Sequence, residues 1–181
     1  YWDLTEQEQD NLRKLLTRDH YIILIRRKTH LTTYLISLGS WLKTGKWSYW
    51  SHALMNLEGD DIKSDADFRL IEATGIGVHY STFMQVFDCD CVTLLKPRGM
   101  TVEDWTLAID NVKNNLGKPY DTLFDLADDR KLSCVELVYD AIKRNMDLLP
   151  NFRNEVVKYG TLTPQMFYDC PDFDHVLEIR H

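Results

Sequence analysis

The sequence predicts an α+β fold in which a sheet of at least four strands packs against helices. Two observations carry this expectation: compact runs such as "YIILI" from Tyr21, rich in β-branched residues, and amphipathic segments that open on capping boxes and close on glycine or proline. A third is size. At 181 residues and 44% apolar composition, the chain is long enough to bury a core, and residues 1–181 are expected to form one domain.

The elements follow in order. Thr5 with Glu8 three residues later is a capping box, and Leu12, Leu15 and Leu16 recur at helical spacing, so a short helix over about residues 4–17 precedes the core. "YIILIRR" reads as a buried strand. "THLTTYLISLGSWLKTG" sets Leu31, Tyr34, Leu35, Leu38, Trp41 and Leu42 on one helical stripe, weakened at Gly39 and Ser40 and ended by Gly45; packing against the sheet is its expected role. "WSHALMNLEG" is extended, with His52, Leu54 and Asn56 on one face and Ala53, Met55 and Leu57 on the other. The polar "EGDDIKSDAD" reads as a loop.

"FRLIEATGIGVHY" and "TFMQVFDCDCVTLLKP" predict two further strands, the first interrupted by Gly75 and Gly77, the second stopped at Pro97. The clearest helix is "TVEDWTLAIDNVKNNLGKP": Thr101 and Asp104 cap it, Val102, Trp105, Ile109, Val112 and Leu116 repeat at three and four, and Gly117 with Pro119 ends it. After the loop "YDTLFDLADDRKL", Ser133 and Glu136 form another S-x-x-E box. That puts Ser133 at the N-cap and Cys134 at the first helical position.

Composition removes several function classes. The 28 acidic against 21 basic residues give a net charge of −7 without a long basic run, which argues against nucleic acid as a partner. No apolar stretch approaches the ~18 to 20 residues of a membrane span, so no integral membrane segment is expected. The start "YWDLTEQEQD" has neither a basic n-region nor an apolar h-region, and it begins with Tyr rather than Met; a cytoplasmic setting is the default expectation, with a trimmed leader left open. Cys89, Cys91, Cys134 and Cys170 are too few for a disulfide scaffold. "CDC" at 89–91 lacks a metal-ligand partner and would place both thiols on one face of a strand. The acidic clusters "EGDD" and "DLADD" read as solvated loops rather than a carboxylate pair.

Two readings of Cys134 stand on local pattern. On the inner face of an amphipathic helix, continued by Val138, Ala141 and Ile142, a cysteine is commonly a small hydrophobe. In the first turn it also meets unpaired N–H groups and the positive end of the helix dipole, which favour thiolate, and its own N–H is a candidate oxyanion donor. A nucleophile needs a base. His20 and His30 flank a strand and read as surface residues, His175 lies late and His181 is terminal, leaving His52 and His79 on predicted strands. Trp41, Trp47 and Trp50 precede His52, with core or rim packing preferred over a substrate wall.

The motifs "SHALM", "IEATGIGV", "LGKPYDTLFD", "LSCVELVYDA" and "TLTPQMF" together resemble the circularly permuted branch of the NlpC/P60 papain-like superfamily, nearest the YiiX/YaeF-type amidases, over residues from about Tyr21 to about Val176. The resemblance implies a permuted papain-like fold, an antiparallel sheet or half-barrel against helices, with the histidine before the cysteine. Here His52 precedes Cys134 by 82 residues. Carried over, Cys134 is the nucleophile, His52 the base and later acid, and Glu72 the carboxylate that orients the imidazole. Tyr120 and Asp121 match the family's "Y-D" and line the site or brace its loop; His79 stays as an alternative base. "NLEG" after the histidine strand departs from the pattern, which puts the substrate in doubt. The implied activity is hydrolysis of an amide in a small amide, a cell-wall peptide, an N-acyl amino acid or a lipid amide, with lipid acyl transfer or a non-catalytic fold as alternatives. No metal or organic cofactor is required.

Overall fold

Strand β1 (Ile22–Arg26) carries no polar side chain before Arg26, and Ile22, Ile23, Leu24 and Ile25 are all fully buried. A strand is buried on both faces only where both are covered. The computed structural model, which describes residues 4–27, 31–57 and 69–181, supplies two covers. Ile22 and Leu24 join a large cluster with Trp105, Ile109, Val138, Ile142 and Phe152. Ile23 and Ile25 join a second with Leu12, Leu16, Phe83 and Phe87.

Around β1 stand β2 (His52–Asn56), β3 (Leu70–Thr74), β4 (Gly77–Ser81), β5 (Cys91–Pro97) and β6 (Phe173–Arg180). Their spatial order is β4-β3-β2-β1-β5-β6, antiparallel throughout, so β4 and β6 are edges and the sheet stays open. Helices α1 (Glu6–Leu16) and α3 (Phe83–Val86) cover one face; α4 (Val102–Lys113), α5 (Cys134–Ile142), α6 (Pro150–Tyr159) and α7 (Pro164–Asp169) cover the other, and α2 (Leu31–Thr44) lies between β1 and β2 in the chain. Asn56 ties β2 to the connection between α1 and β1: its Oδ1 accepts from Tyr21 N–H at 2.7 Å, and its Nδ2 donates to the carbonyls of Leu16 and Asp19.

The expected helix caps are present at Thr5, Thr101 and Ser133. Several expectations need correction. "FRLIEATGIGVHY" is not one interrupted strand but the hairpin β3–β4, turning at Gly75 and Ile76 with Thr74 opposite Gly77. The first part of "TFMQVFDCDCVTLLKP" is helical, because Gln85 Oε1 accepts from Thr82 N–H at 2.9 Å and the Phe83 and Phe87 rings pack 4.5 Å apart one turn on. β5 therefore starts only at Cys91, and Cys89 and Cys91 join clusters on opposite faces of the sheet rather than sharing one. His20 is no surface residue; its ring lies 5.9 Å from Trp105 and is half-buried. α6, α7 and β6 add to the expected elements. The loop expected at "EGDDIKSDAD" and His30 lie outside the described residues.

The largest correction concerns α2. Its apolar stripe does not face the sheet: Leu35 is 58% exposed, Trp41 52% and Leu42 69%. The helix docks by its serines instead. Ser37 Oγ donates to the Ser48 carbonyl at 2.6 Å and Ser40 Oγ to the Lys46 carbonyl at 2.9 Å, so the chain entering β2 draws the polar side inward. The tryptophans divide accordingly: Trp50 is fully buried, edge-on to Tyr49 at 5.3 Å, while Trp41 and Trp47 are half-exposed.

Gly77 links the hairpin to the site. Its φ of 98° suits glycine, and a Cβ there would sit 2.5 Å from the Lys118 carbonyl oxygen. The same backbone exchanges hydrogen bonds across that contact, Val78 N–H to Lys118 O and Gly117 N–H to Val78 O, both at 2.9 Å. Gly77→Ala is therefore expected to cost about 2 kcal/mol or more. Urea unfolding with an unchanged m-value checks this, and a midpoint equal to wild type would contradict it.

Candidate active site

The site begins at the start of α5. Ser133 N–H donates to Glu136 Oε2 at 2.7 Å and Ser133 Oγ accepts from Glu136 N–H, a buried capping box that leaves Cys134 as the first helical residue. Its N–H has no partner within the helix. Leu132 N–H to Pro119 O fixes the approach at 3.1 Å. Cys134 is 2% exposed, and the groups that act on its thiol are the imidazole of His52 and the backbone amides of Ala53 and Val135.

His52 opens β2. Its Nε2 lies 2.6 Å from Glu72 Oε2, which leaves Nδ1 for the Cys134 sulfur. Glu72 sits on β3, only 7% exposed, and its other oxygen accepts a short hydrogen bond from Ser81 Oγ. His79 is directly opposite Glu72 in the hairpin. Its Nε2 is 3.7 Å from Glu72 Oε1 and its Nδ1 2.9 Å from the Gly77 carbonyl, so it serves the carboxylate while His52 faces the sulfur.

Charge coupling decides the protonation states. Burial alone would push the Cys134 thiol up, but the His52 imidazolium, its hydrogen bond and the two backbone amides outweigh it and hold the thiol below its ordinary value. Burial likewise opposes a charged His52; the Cys134 thiolate and then Glu72 overcome it and raise the imidazole to about 9. Glu72, against the same burial penalty, is brought down to about 2 by His52, Ser81 and His79. Both shifts favour the thiolate–imidazolium form of the buried pair.

Tyr120 and Asp121 take different places. Burial, the Cys134 charge and a hydrogen bond to Cys134 keep the Tyr120 phenol protonated far above its usual range. Asp121 faces its own loop instead: its oxygens accept from Leu123 N–H at 2.9 Å and Asp125 N–H at 2.6 Å. That turn carries Phe124 at φ 55°, a left-handed conformation for a bulky residue, and sets its ring at the cleft. Ser81 and Phe124 are the site residues that motif reasoning missed. The signal for Ser81 was the hairpin: pairing β4 on β3 puts Ser81 two residues beyond His79 on the face of Glu72.

Two recesses flank the Cys134–His52 pair. On the cysteine side a cavity of about 150 Å³ runs under α2; on the histidine side one of about 410 Å³ includes Ser51, Glu72, Thr74 and Thr122. Among the described residues, no group of three or more His, Cys, Asp or Glu is set to hold a metal.

Comparison with known proteins gives two matches. Residues 17–177 match the family described as permuted papain-like amidase enzyme, YaeF/YiiX, C92 family. The crystal structure of "metalloprotein yiiX" from Escherichia coli O157:H7 superposes with a TM-score of 0.64 at 19% identity, covering 91% of this chain and 99% of that one, which shows a shared fold. No curated protein sequence matches the chain.

The ion pair makes a direct prediction for alkylation by iodoacetamide. Cys134 labels as a thiolate with an apparent pKa below the ~8.5 of a free thiol. In His52→Ala, with the imidazolium gone and only the Ala53 and Val135 amides left to oppose burial, labelling at neutral pH slows by about tenfold or more and its midpoint moves up. Mass-spectrometric site assignment against pH measures both; identical curves for the two proteins would remove the pair.

Proposed function

The chain belongs to the permuted papain-like amidases of the YaeF/YiiX type, the C92 family, and is a cysteine-type amide hydrolase; we propose that it works through Cys134, His52 and Glu72 by way of a thioester acyl-enzyme. The observation that carries the reading is the imidazole that links Glu72, at 2.6 Å, to the Cys134 sulfur. Cys134 Sγ adds to the amide carbonyl, and the oxyanion that forms is received by Cys134 N–H and the Tyr120 hydroxyl. His52 then gives its proton to the leaving nitrogen as the C–N bond breaks. Water, deprotonated by the now neutral His52, attacks the thioester, and the C–S bond breaks to release a carboxylic acid and the starting pair.

Glu72 holds the ring and favours its charged form; Ser81 and His79 hold Glu72. Tyr120 is coupled to the Cys134 thiol, whereas Asp121 acts by shaping the loop. Acyl transfer to an acceptor other than water differs only in the second half, and the product's identity, free acid or new amide or ester, separates the two.

Cys134→Ala is expected to lose about 10³-fold or more in turnover of an acyl anilide, and the wild type to show an added acyl mass under rapid quench. A Cys134→Ala protein that retains wild-type turnover ends the reading. The pH profile of kcat/KM is a bell. Its alkaline limb reports loss of the His52 proton near 9, since a raised pKa keeps the acid form present below that value and loses it above. Glu72→Gln removes the negative charge that raises His52, so this limb is expected to move to lower pH; a shift upward contradicts the assigned role.

A further inference from the structure

Helix α2 and the segment after it turn Tyr34, Leu35, Leu38, Trp41, Leu42 and Trp47 to solvent. The first five recur at helical spacing on one stripe and Trp47 follows just past its end; Tyr34 is 51% exposed, Leu38 44% and Trp47 54%. Large apolar side chains scattered singly over a surface need no explanation, whereas a contiguous set marks a contact. The opposite side of the helix is already engaged: Ser37 and Ser40 donate to the carbonyls of Ser48 and Lys46, so the stripe cannot roll inward without breaking both bonds.

Charge decides what covers the stripe. From His20 to Leu57 the sequence holds five of the chain's 21 basic residues, Arg26, Arg27, Lys28, Lys43 and Lys46, and none of its 28 acidic ones, although the whole chain carries −7. Lys43 and Lys46 stand exposed at the C-terminal end of the stripe, Lys43 reaching the Leu123 carbonyl and Lys46 pairing with Glu155 at 3.1 Å. Exposed charges farther off than ~8–10 Å are screened at physiological salt, so a surface lying against α2 meets this positive segment rather than the net charge of the molecule.

We infer that the exposed face of α2, together with Trp47, docks the protein on an anionic lipid surface. A second copy of the chain would bring two positive segments together, which opposes association. A bilayer fits the composition: Trp and Tyr rings sit at the headgroup boundary with their N–H and O–H still wet, leucines enter further, and lysine stems reach the phosphates. With 14 residues, α2 is short of the ~20 needed to cross the hydrocarbon core, so it lies in the interface. The inference goes beyond the amidase reading and does not depend on it.

The test is co-sedimentation with sucrose-loaded vesicles of phosphatidylcholine alone and of phosphatidylcholine with about one-third phosphatidylglycerol. The wild type is expected to pellet more strongly with the anionic vesicles, the excess fading as NaCl rises. Trp41→Ala with Leu42→Ala, which keeps good helix formers on an exposed face, is expected to weaken binding to both vesicles by about tenfold or more. Lys43→Gln with Lys46→Gln is expected to weaken only the anionic binding, by about tenfold. A wild type that stays in the supernatant, pellets equally with both vesicles, or pellets unchanged in the Trp41–Leu42 variant overturns the docking. So does a concentration-dependent dimer, seen by light scattering without lipid, that the same variant abolishes, since the face then belongs to a second copy. Iodoacetamide labelling of Cys134 reports on the triad separately, so either reading can fall while the other stands.

Discussion

The site depends on one contact, the start of α5 against the start of β2. The backbone amides of Ala53, on the sheet, and of Val135, on the helix, both favour the charged form of the Cys134 thiol, so the seating of α5 on β2 sets its electrostatics. What holds the contact is core packing. Val135, Leu137, Val138, Ala141 and Ile142 are all buried, and side chains of this size contribute roughly 1.5–3 kcal/mol each when removed from water, alanine less. A thiolate and an imidazolium buried singly would be strongly unfavourable; beside each other, with Glu72 behind, each removes most of the other's penalty. The ion pair therefore exists because the helix is seated, and a loosened α5 would lose charge separation before it lost its fold.

Chain order is irrelevant to that arrangement. The residues run His52, Glu72, Cys134, and the sheet restores their geometry because β2 and β3 are antiparallel neighbours. Met55 pairs with Ile71, and continuing that register sets His52 across from Thr74, which makes Glu72 its diagonal neighbour. Diagonal pairs in a sheet are about 7–8 Å apart at Cα, a span for a long side chain rather than a short one. Glutamate spans it, reaching the His52 Nε2 with one oxygen while the other takes the Ser81 hydroxyl.

Legibility in the sequence followed the range of the interaction. Caps act over three residues, and Thr5, Thr101 and Ser133 could be read directly, Ser133 with the consequence that Cys134 opens a helix. Family motifs named Cys134, His52 and Glu72 without any geometry, and the fold places these three together. Non-local facts were out of reach. Ser81 acts only because a hairpin returns it to Glu72, and Gly75 with Gly77 looked like damage to one strand rather than the turn between two. Thr82 and Gln85 hid a helical turn inside a run of β-forming residues, which moved Cys89 off the strand.

The inversion of α2 has a different cause and reaches furthest into function. Periodicity finds the apolar side of a helix but not its neighbour; the usual assumption is that the apolar side faces the core. Here the core beneath β1 and β2 is already closed by other helices, and the nearest partners for α2 are the carbonyls of Lys46 and Ser48, which only a polar side can satisfy. Each of those carbonyls, buried unpaired, would lose about 1–3 kcal/mol, and Ser37 and Ser40 supply the donors that prevent it. The helix thus turns its leucines outward at the mouth of the cleft, where Leu35 and Ile36 border both recesses beside Cys134. Apolar surface that the core does not use is left next to Cys134.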